Sequence, residues 1–188
     1  MPYTPIVATL GYVLSPARDR VLMIHRNARE QDHHLGKYNG LGGKLEPDED
    51  VLDGMRREIR EEAGIECETL ALRGTISWPG FGTGGEDWLG FVFLIERFHG
   101  TPLERNPEGA LEWVELARLM ELPMWEGDRH FLPLVFDGQH VLLGGGELGG
   151  DVFQGRGNFF HRIELPRPLG GVEPRAFHQH RRQDRFAH

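Results

Sequence analysis

Between Glu46 and Glu62 the chain carries eight acidic residues, and three of them are spaced for joint work. On an α-helix, at about 100° per residue, Glu62 points about 40° to one side of Glu58 and Glu61 about 60° to the other. Three carboxylates then share an arc of roughly 100°. Like charges this close destabilise a helix face. Arg57 and Arg60 relieve part of that repulsion. A hard divalent cation with oxygen ligands relieves the rest, and Mg²⁺ commonly bridges carboxylates to substrate phosphates. The chemistry suggested is cleavage of a phosphoanhydride by water. Taken alone, Glu-x-x-Glu-Glu is more often a solvated helix face.

The wider spacing decides between these readings. From Gly43 the chain runs GKLEPDEDVLDGMRREIREEAGI. Five residues separate Gly43 from Glu49, and seven more separate Glu49 from Arg57 and Glu58. Ile59, Arg60, Glu61, Glu62, Ala63, Gly64 and Ile65 follow. This pattern resembles the Nudix box at every position. Such a match has a chance frequency on the order of 10⁻⁸ per starting point at ordinary residue usage. Glu49 can pair with Arg57 about two turns on, holding an arginine that in turn orients the glutamates. The resemblance implies a mixed β-sheet sandwiched between helices (α/β, or α+β in its element order) and hydrolysis of a nucleoside diphosphate linked to a further group. It also implies Mg²⁺, with Mn²⁺ as the alternative, held by Glu58, Glu61, Glu62 and the carbonyl of Gly42. Glu58 is then the general base.

Segments outside the box are similar to the MutT-type branch that destroys oxidised purine nucleoside triphosphates, in particular its human-type members. In Gly36-Lys37-Tyr38-Asn39-Gly40-Leu41-Gly42-Gly43-Lys44, the resemblance makes Asn39 a ligand of the purine edge and puts Gly43 and Lys44 at the substrate. Thr9 and Arg26 match positions lining the nucleotide site. Glu108 matches a metal-binding or catalytic glutamate supplied from outside the box. Met124-Trp125-Glu126-Gly127-Asp128 resembles the segment in which a tryptophan stacks on the base and two adjacent acids bind it. Here the first of those acids is Gly127, which puts discrimination between purine oxidation states in question. Blander readings stand beside these. Asn39 could cap a turn, Asp128 could cap a helix, Trp125 could be an ordinary core or surface aromatic, and Glu108 an ordinary loop acid.

The surrounding elements must position these groups. Asp50–Ala63 reads as a helix: Asp50 is an N-cap, Asp53 is placed for a capping box, and Val51, Met55, Ile59 and Ala63 form one apolar face. Gly64 ends it. Ile6–Leu14 and Val21–Ile24 read as a hairpin, and Leu70–Trp78 and Trp88–Phe98 as long strands joined by a glycine-rich loop. Leu111–Val114 is a short strand. Ala117–Glu121 and Glu126–Phe136 look helical, with Pro133 expected to kink the second. Residues 139–143 and 158–165 are further strand candidates around a glycine-rich stretch, 144–157. His33 and His34 lie in a polar loop and read as solvated. Trp78, Phe81 and Trp88 flank a loop as pocket wall or core.

The chain has 188 residues, 39% hydrophobic and 27% charged, with net charge −8. That suits one soluble domain over residues 1–165, followed by a mobile basic tail over 166–188. No stretch of about 18 apolar residues predicts a membrane span. The acidic balance argues against duplex nucleic acid as a partner. A lone cysteine, Cys67, suits a reducing cytoplasm. The expected partner is a small nucleotide, bound by a monomer or a homodimer. The favoured substrate is 8-oxo-dGTP, cleaved to monophosphate and pyrophosphate in nucleotide-pool sanitation. Rivals are a Nudix hydrolase of ADP-ribose, a nucleotide sugar or a dinucleoside polyphosphate, and a nucleotide-sensing module without turnover.

Overall fold

The structure, a computed structural model, describes residues 2–137, 140–145 and 159–164. The expected basic tail, and residues 146–157 of the glycine-rich stretch, lie outside them. In chain order the elements are strands β1 (Ile6–Leu14), β2 (Arg20–His25) and β3 (Tyr38–Asn39), and helix α1 (Val51–Ala63). Strands β4 (Glu66–Trp78), β5 (Trp88–His99), β6 (Arg105–Asn106) and β7 (Gly109–Glu115) follow. A 3₁₀-helix (Leu116–Glu121), helix α2 (Glu126–Phe136) and strands β8 (His140–Gly145) and β9 (Phe159–Glu164) complete the order.

All nine strands among the described residues join one mixed sheet, in the order β6-β7-β2-β1-β5-β4-β8-β9, with β3 paired to β2. The first two strands form the predicted antiparallel hairpin, and β1 also runs parallel to β5, with Ile6 opposite Trp88 and Val13 opposite Ile95. Strand alternation sends side chains to opposite faces. Val13, Leu22, Ile24, Phe93 and Ile95 pack with Met55, Ile59 and Ala63 of α1. Their neighbours Tyr12, Leu14, Val21, Met23, Val92 and Leu94 pack on the other face with Phe131, Leu132 and Val135 of α2 and with Leu119. The sheet is therefore sandwiched between helices, as the family resemblance implied.

Helix α1 begins at Asp50, whose carboxylate accepts from the backbone N–H groups of Leu52 (2.8 Å) and Asp53 (2.9 Å). Gly64, at φ 69°, ends it and donates to the carbonyl of Arg60. The reciprocal half of a capping box does not form, because the Asp53 carboxylate turns outward to Arg56 (3.4 Å). The stretch 117–121 is helical as expected, but in the tighter 3₁₀ form. Pro133 sits within α2, which continues through it to Phe136. No described helix is long and apolar enough to cross a membrane.

Candidate active site

Two carboxylates of α1, Glu58 and Glu61, and Glu49 just before the helix are organised around one arginine. Arg57 grips Glu49 with two hydrogen bonds, Nε to Oε2 (3.0 Å) and Nη2 to Oε1 (2.6 Å). Its Nη1 reaches Glu58 Oε1 (2.9 Å) and Glu61 Oε2 (3.2 Å), and Nη2 also donates to the carbonyl of Lys44 (3.1 Å). A planar guanidinium can hold several oxygens in a fixed fork. The two-turn pairing predicted from spacing therefore fixes both the helix entry and the two glutamates beyond it. Arg57 holds the Glu49 carboxyl down to about 2. Burial pushes Glu58 upward, against the pull of Arg57.

The glycine loop lies against β1. Thr9 N–H donates to the carbonyl of Gly43 (2.8 Å), and Gly11 N–H to that of Leu41 (2.6 Å). Gly42 has φ 139°, and a Cβ there would collide with the Thr9 carbonyl oxygen, so only glycine fits. Its N–H donates to Glu62 Oε2 (2.8 Å), while its carbonyl accepts no hydrogen bond among the described residues. Glu62 is pushed up to about 8 by burial; the Gly42 N–H opposes this, and the facing charges of Glu108 and Glu58 add to it. Glu108 enters from the turn between β6 and β7 and is ion-paired with Arg26, which also holds Asp32 (2.8 Å). It is thus no solvated loop acid.

Next to these carboxylates is a cavity of about 340 Å³. Thr9, Arg26, Asn39 and Gly43 line it, together with Lys44, Trp125 and Asp128. Every residue expected at the substrate from sequence therefore faces one space. Gly43 joins that space to the helix, since a Cβ on it would lie 2.5 Å from Glu58 Oε1. Among the described residues, three buried side-chain polar atoms have no hydrogen-bond partner: Thr9 Oγ1, Asn39 Oδ1 and Trp88 Nε1. All three belong to lining residues of this cavity. Buried polar groups are almost always satisfied, so a cluster of unsatisfied ones marks a place where a ligand completes the bonding.

Asp128 is 6% exposed, and its carboxyl is pushed up to about 7 by burial, with Lys37 and Arg129 pulling the other way. Trp125, rather than Asp128, stands at the N-cap of α2, so the capping reading of Asp128 fails. Nor does Asn39 cap a turn, for it pairs with Ile24 in β3. The Trp125 indole N–H donates to His34 Nδ1 (2.8 Å), and His33 stacks on its ring at 5.2 Å.

A NUDIX domain model matches residues 5–135. The chain belongs to the Nudix hydrolase family. It is 33% identical over 127 residues to a mouse oxidized purine nucleoside triphosphate hydrolase, spanning 68% of this chain and 77% of that protein. It is 32% identical over 129 residues to an uncharacterized Nudix hydrolase of Bacillus subtilis, spanning 67% and 77%. The crystal structure of a MutT protein from Bacillus halodurans superposes with TM-score 0.65 at 31% identity, covering 74% of this chain and 88% of that one.

Two features of this Nudix hydrolase escaped the sequence. His34, expected in solvent, is part of the cavity wall. Its Nδ1 accepts from Trp125 and burial lowers its pKa, so the ring is neutral and carries its proton on Nε2. A histidine in a polar loop has no periodic neighbours that would betray this. Trp88 and Trp78 both line the cavity, but the sequence leaves pocket wall and core equally open for each. Gly43→Ala gives the hydrolase a specific fault: the new methyl must push the Glu58 carboxylate aside. We expect at least a tenfold loss of kcat with little change in melting temperature, read by steady-state kinetics and thermal unfolding.

Proposed function

We propose that this Nudix hydrolase is a divalent-metal-dependent pyrophosphohydrolase of oxidised purine nucleoside triphosphates such as 8-oxo-dGTP, releasing the monophosphate and pyrophosphate. The observation that carries this reading is the junction at Gly43. One side of that residue lines a cavity with unpartnered polar atoms, and the other abuts the Glu58 carboxylate. A base recognised by Asn39 and Asp128 and stacked by Trp125 then leaves its phosphates at α1. The mouse and zebrafish relatives named as oxidized purine nucleoside triphosphate hydrolases support the same substrate class.

The donor set is all oxygen, which fits a hard cation such as Mg²⁺ or Mn²⁺. Glu58, Glu61, Glu62, Glu108 and the Gly42 carbonyl would hold it. The raised carboxyls of Glu62 and Glu58 support this, because crowded buried acids gain most from a cation. Among the described residues no three acidic, histidine or cysteine side chains are already gathered around one point, because Arg57 and Arg26 occupy several of the oxygens. Glu61, more than half exposed, would give up its 3.2 Å contact with Arg57 to reach the cation. The cation, when bound, polarises the phosphoanhydride and neutralises the charge that develops on it. Glu58 takes the proton from the attacking water, and Arg57 keeps that carboxylate in place.

The test is incubation with Mg²⁺ and a panel of 8-oxo-dGTP, ordinary dNTPs, ADP-ribose, nucleotide sugars and diadenosine polyphosphates, with the products resolved. Preferential turnover of 8-oxo-dGTP to monophosphate and pyrophosphate is the expected result. Preference for a diphosphate-linked sugar or dinucleotide would keep the chemistry and overturn the base pocket. Turnover of nothing would favour a sensing module. Asn39→Ala should raise KM or alter the base preference by roughly tenfold with kcat less affected. An unchanged base profile in that variant removes Asn39 from base recognition.

A further inference from the structure

The loop between β2 and β3 carries no reacting group, yet it holds the ring proposed to stack on the base. Its neck is closed by two backbone bonds. Arg26 N–H donates to the Lys37 carbonyl (2.9 Å), and Gly36 N–H donates to that of Arg26 (2.7 Å). Inside the loop, Asp32 Oδ1 accepts from the His34 backbone N–H (2.9 Å), and Oδ2 accepts from Arg26 Nε (2.8 Å). The Asp32 side chain is only 7% exposed. One buried carboxylate therefore ties the backbone of His34 to the residue that follows β2.

Three side chains from this region reach Trp125. His33 stacks on the indole at 5.2 Å and 27°, Lys37 Nζ lies 4.4 Å from a ring centre, and His34 Nδ1 accepts the indole N–H at 2.8 Å. Trp125 stands at the N-cap of α2 with extended backbone (φ −67°, ψ 145°), so the register of the helix does not direct its side chain. Stacking and cation–π contacts set the plane of a ring but leave it room to turn and slide within that plane. A hydrogen bond is directional and removes that freedom. The His34 ring stands at 89° to the indole and also packs against Phe81 at 6.4 Å. Both His34 and Trp125 line the cavity.

We propose that His34 is a positioning residue for base recognition, whose Nδ1, held in place through Asp32, fixes the orientation of the Trp125 ring in the cavity. This rests on the nucleotide reading of the cavity and deepens it. His34 acts through the stacking ring, so it contributes affinity for the bound base rather than a step of the hydrolysis.

His34→Phe and His34→Asn test this as a pair. Phenylalanine keeps an aromatic ring against Phe81 and Trp125 and removes the acceptor. Asparagine gives up the ring and places its Oδ1 where Nδ1 stands. With 8-oxo-dGTP, His34→Phe should raise KM about five- to tenfold with little change in kcat, and His34→Asn should stay within about twofold of the wild type. In a ¹H–¹⁵N spectrum of the substrate-free protein, the Trp125 indole signal, identified by its loss in Trp125→Phe, should move further in His34→Phe than in His34→Asn. In the wild type the His34 Nδ1 resonance should be that of an unprotonated nitrogen, a measurement that needs no variant. An unchanged KM or an unmoved indole signal in His34→Phe overturns the inference and leaves the hydrolase reading intact. Equal defects in the two variants, or a protonated Nδ1, do the same. A wild-type protein that turns over no member of the substrate panel overturns the nucleotide reading and this role with it.

Discussion

Glu58→Gln is expected to lower kcat by ~10²–10⁴-fold, the usual contribution of a positioned general base. The substitution is conservative in every other respect. Glutamine has nearly the same volume, so the tight approach to Gly43 is kept, and its amide oxygen can still accept from Arg57 Nη1, now at 2.9 Å from Glu58. Burial already pushes the Glu58 carboxyl upward, so a neutral amide should leave the melting temperature level or slightly higher. Loss of turnover with an intact or improved fold is the decisive combination, read by single-turnover kinetics beside thermal unfolding. A variant with near-native kcat would pass the base role to another carboxylate of the cluster, with Glu62 and Glu108 the next to test.

Asp128→Asn should have two opposite effects. Asp128 is almost wholly buried, and its carboxyl is pushed up to about 7. In the unfolded chain it titrates near 3.9. Between those values the folded protein binds the extra proton, so stability falls as pH rises from about 4 to about 7 and stays low above that. Asparagine has no such proton to lose. The variant should therefore be more stable than the wild type at pH 8, by roughly 2–4 kcal/mol at most, and its stability should be flatter across that window. Urea unfolding at pH 5 and pH 8 checks this, and an equal effect at both pH values would contradict it. The functional cost should be a loss of at least tenfold in discrimination between 8-oxo-dGTP and dGTP, because the asparagine amide cannot offer the same donor and acceptor choice. A residue that shows both effects belongs to a binding site. With Gly127 before it, Asp128 is the single acid of its segment at this cavity.

The sequence by itself determined the family, the carboxylate-bearing helix and the order of the longer elements. Local rules carried these. Four-residue spacing of Val51, Met55, Ile59 and Ala63, an aspartate at the cap and Gly64 at the end define α1 without reference to the rest of the chain. Arg57, Glu58 and Glu61 share one helix and Glu49 stands just before its cap, so their contacts lie within a short stretch of chain. The strands on both sides of the sheet were legible from alternation and turn residues, though β3 and β6, two residues each, are too short to leave a pattern.

Tertiary structure decided what faces the cavity. Thr9, Asn39, Trp88 and Asp128 come from β1, β3, β5 and α2, and only the packing of these elements brings their side chains to one space. Likewise Arg26 on the loop after β2 meets Glu108 from the turn before β7 because those strands are neighbours in the sheet. Spacing along the chain says nothing of such distances. Whether a tryptophan N–H is satisfied or left open, or a histidine is solvated or locked in one tautomer, depends on neighbours far away in sequence. The chemistry is local and so can be read from the chain; the recognition is assembled from remote parts and had to be seen.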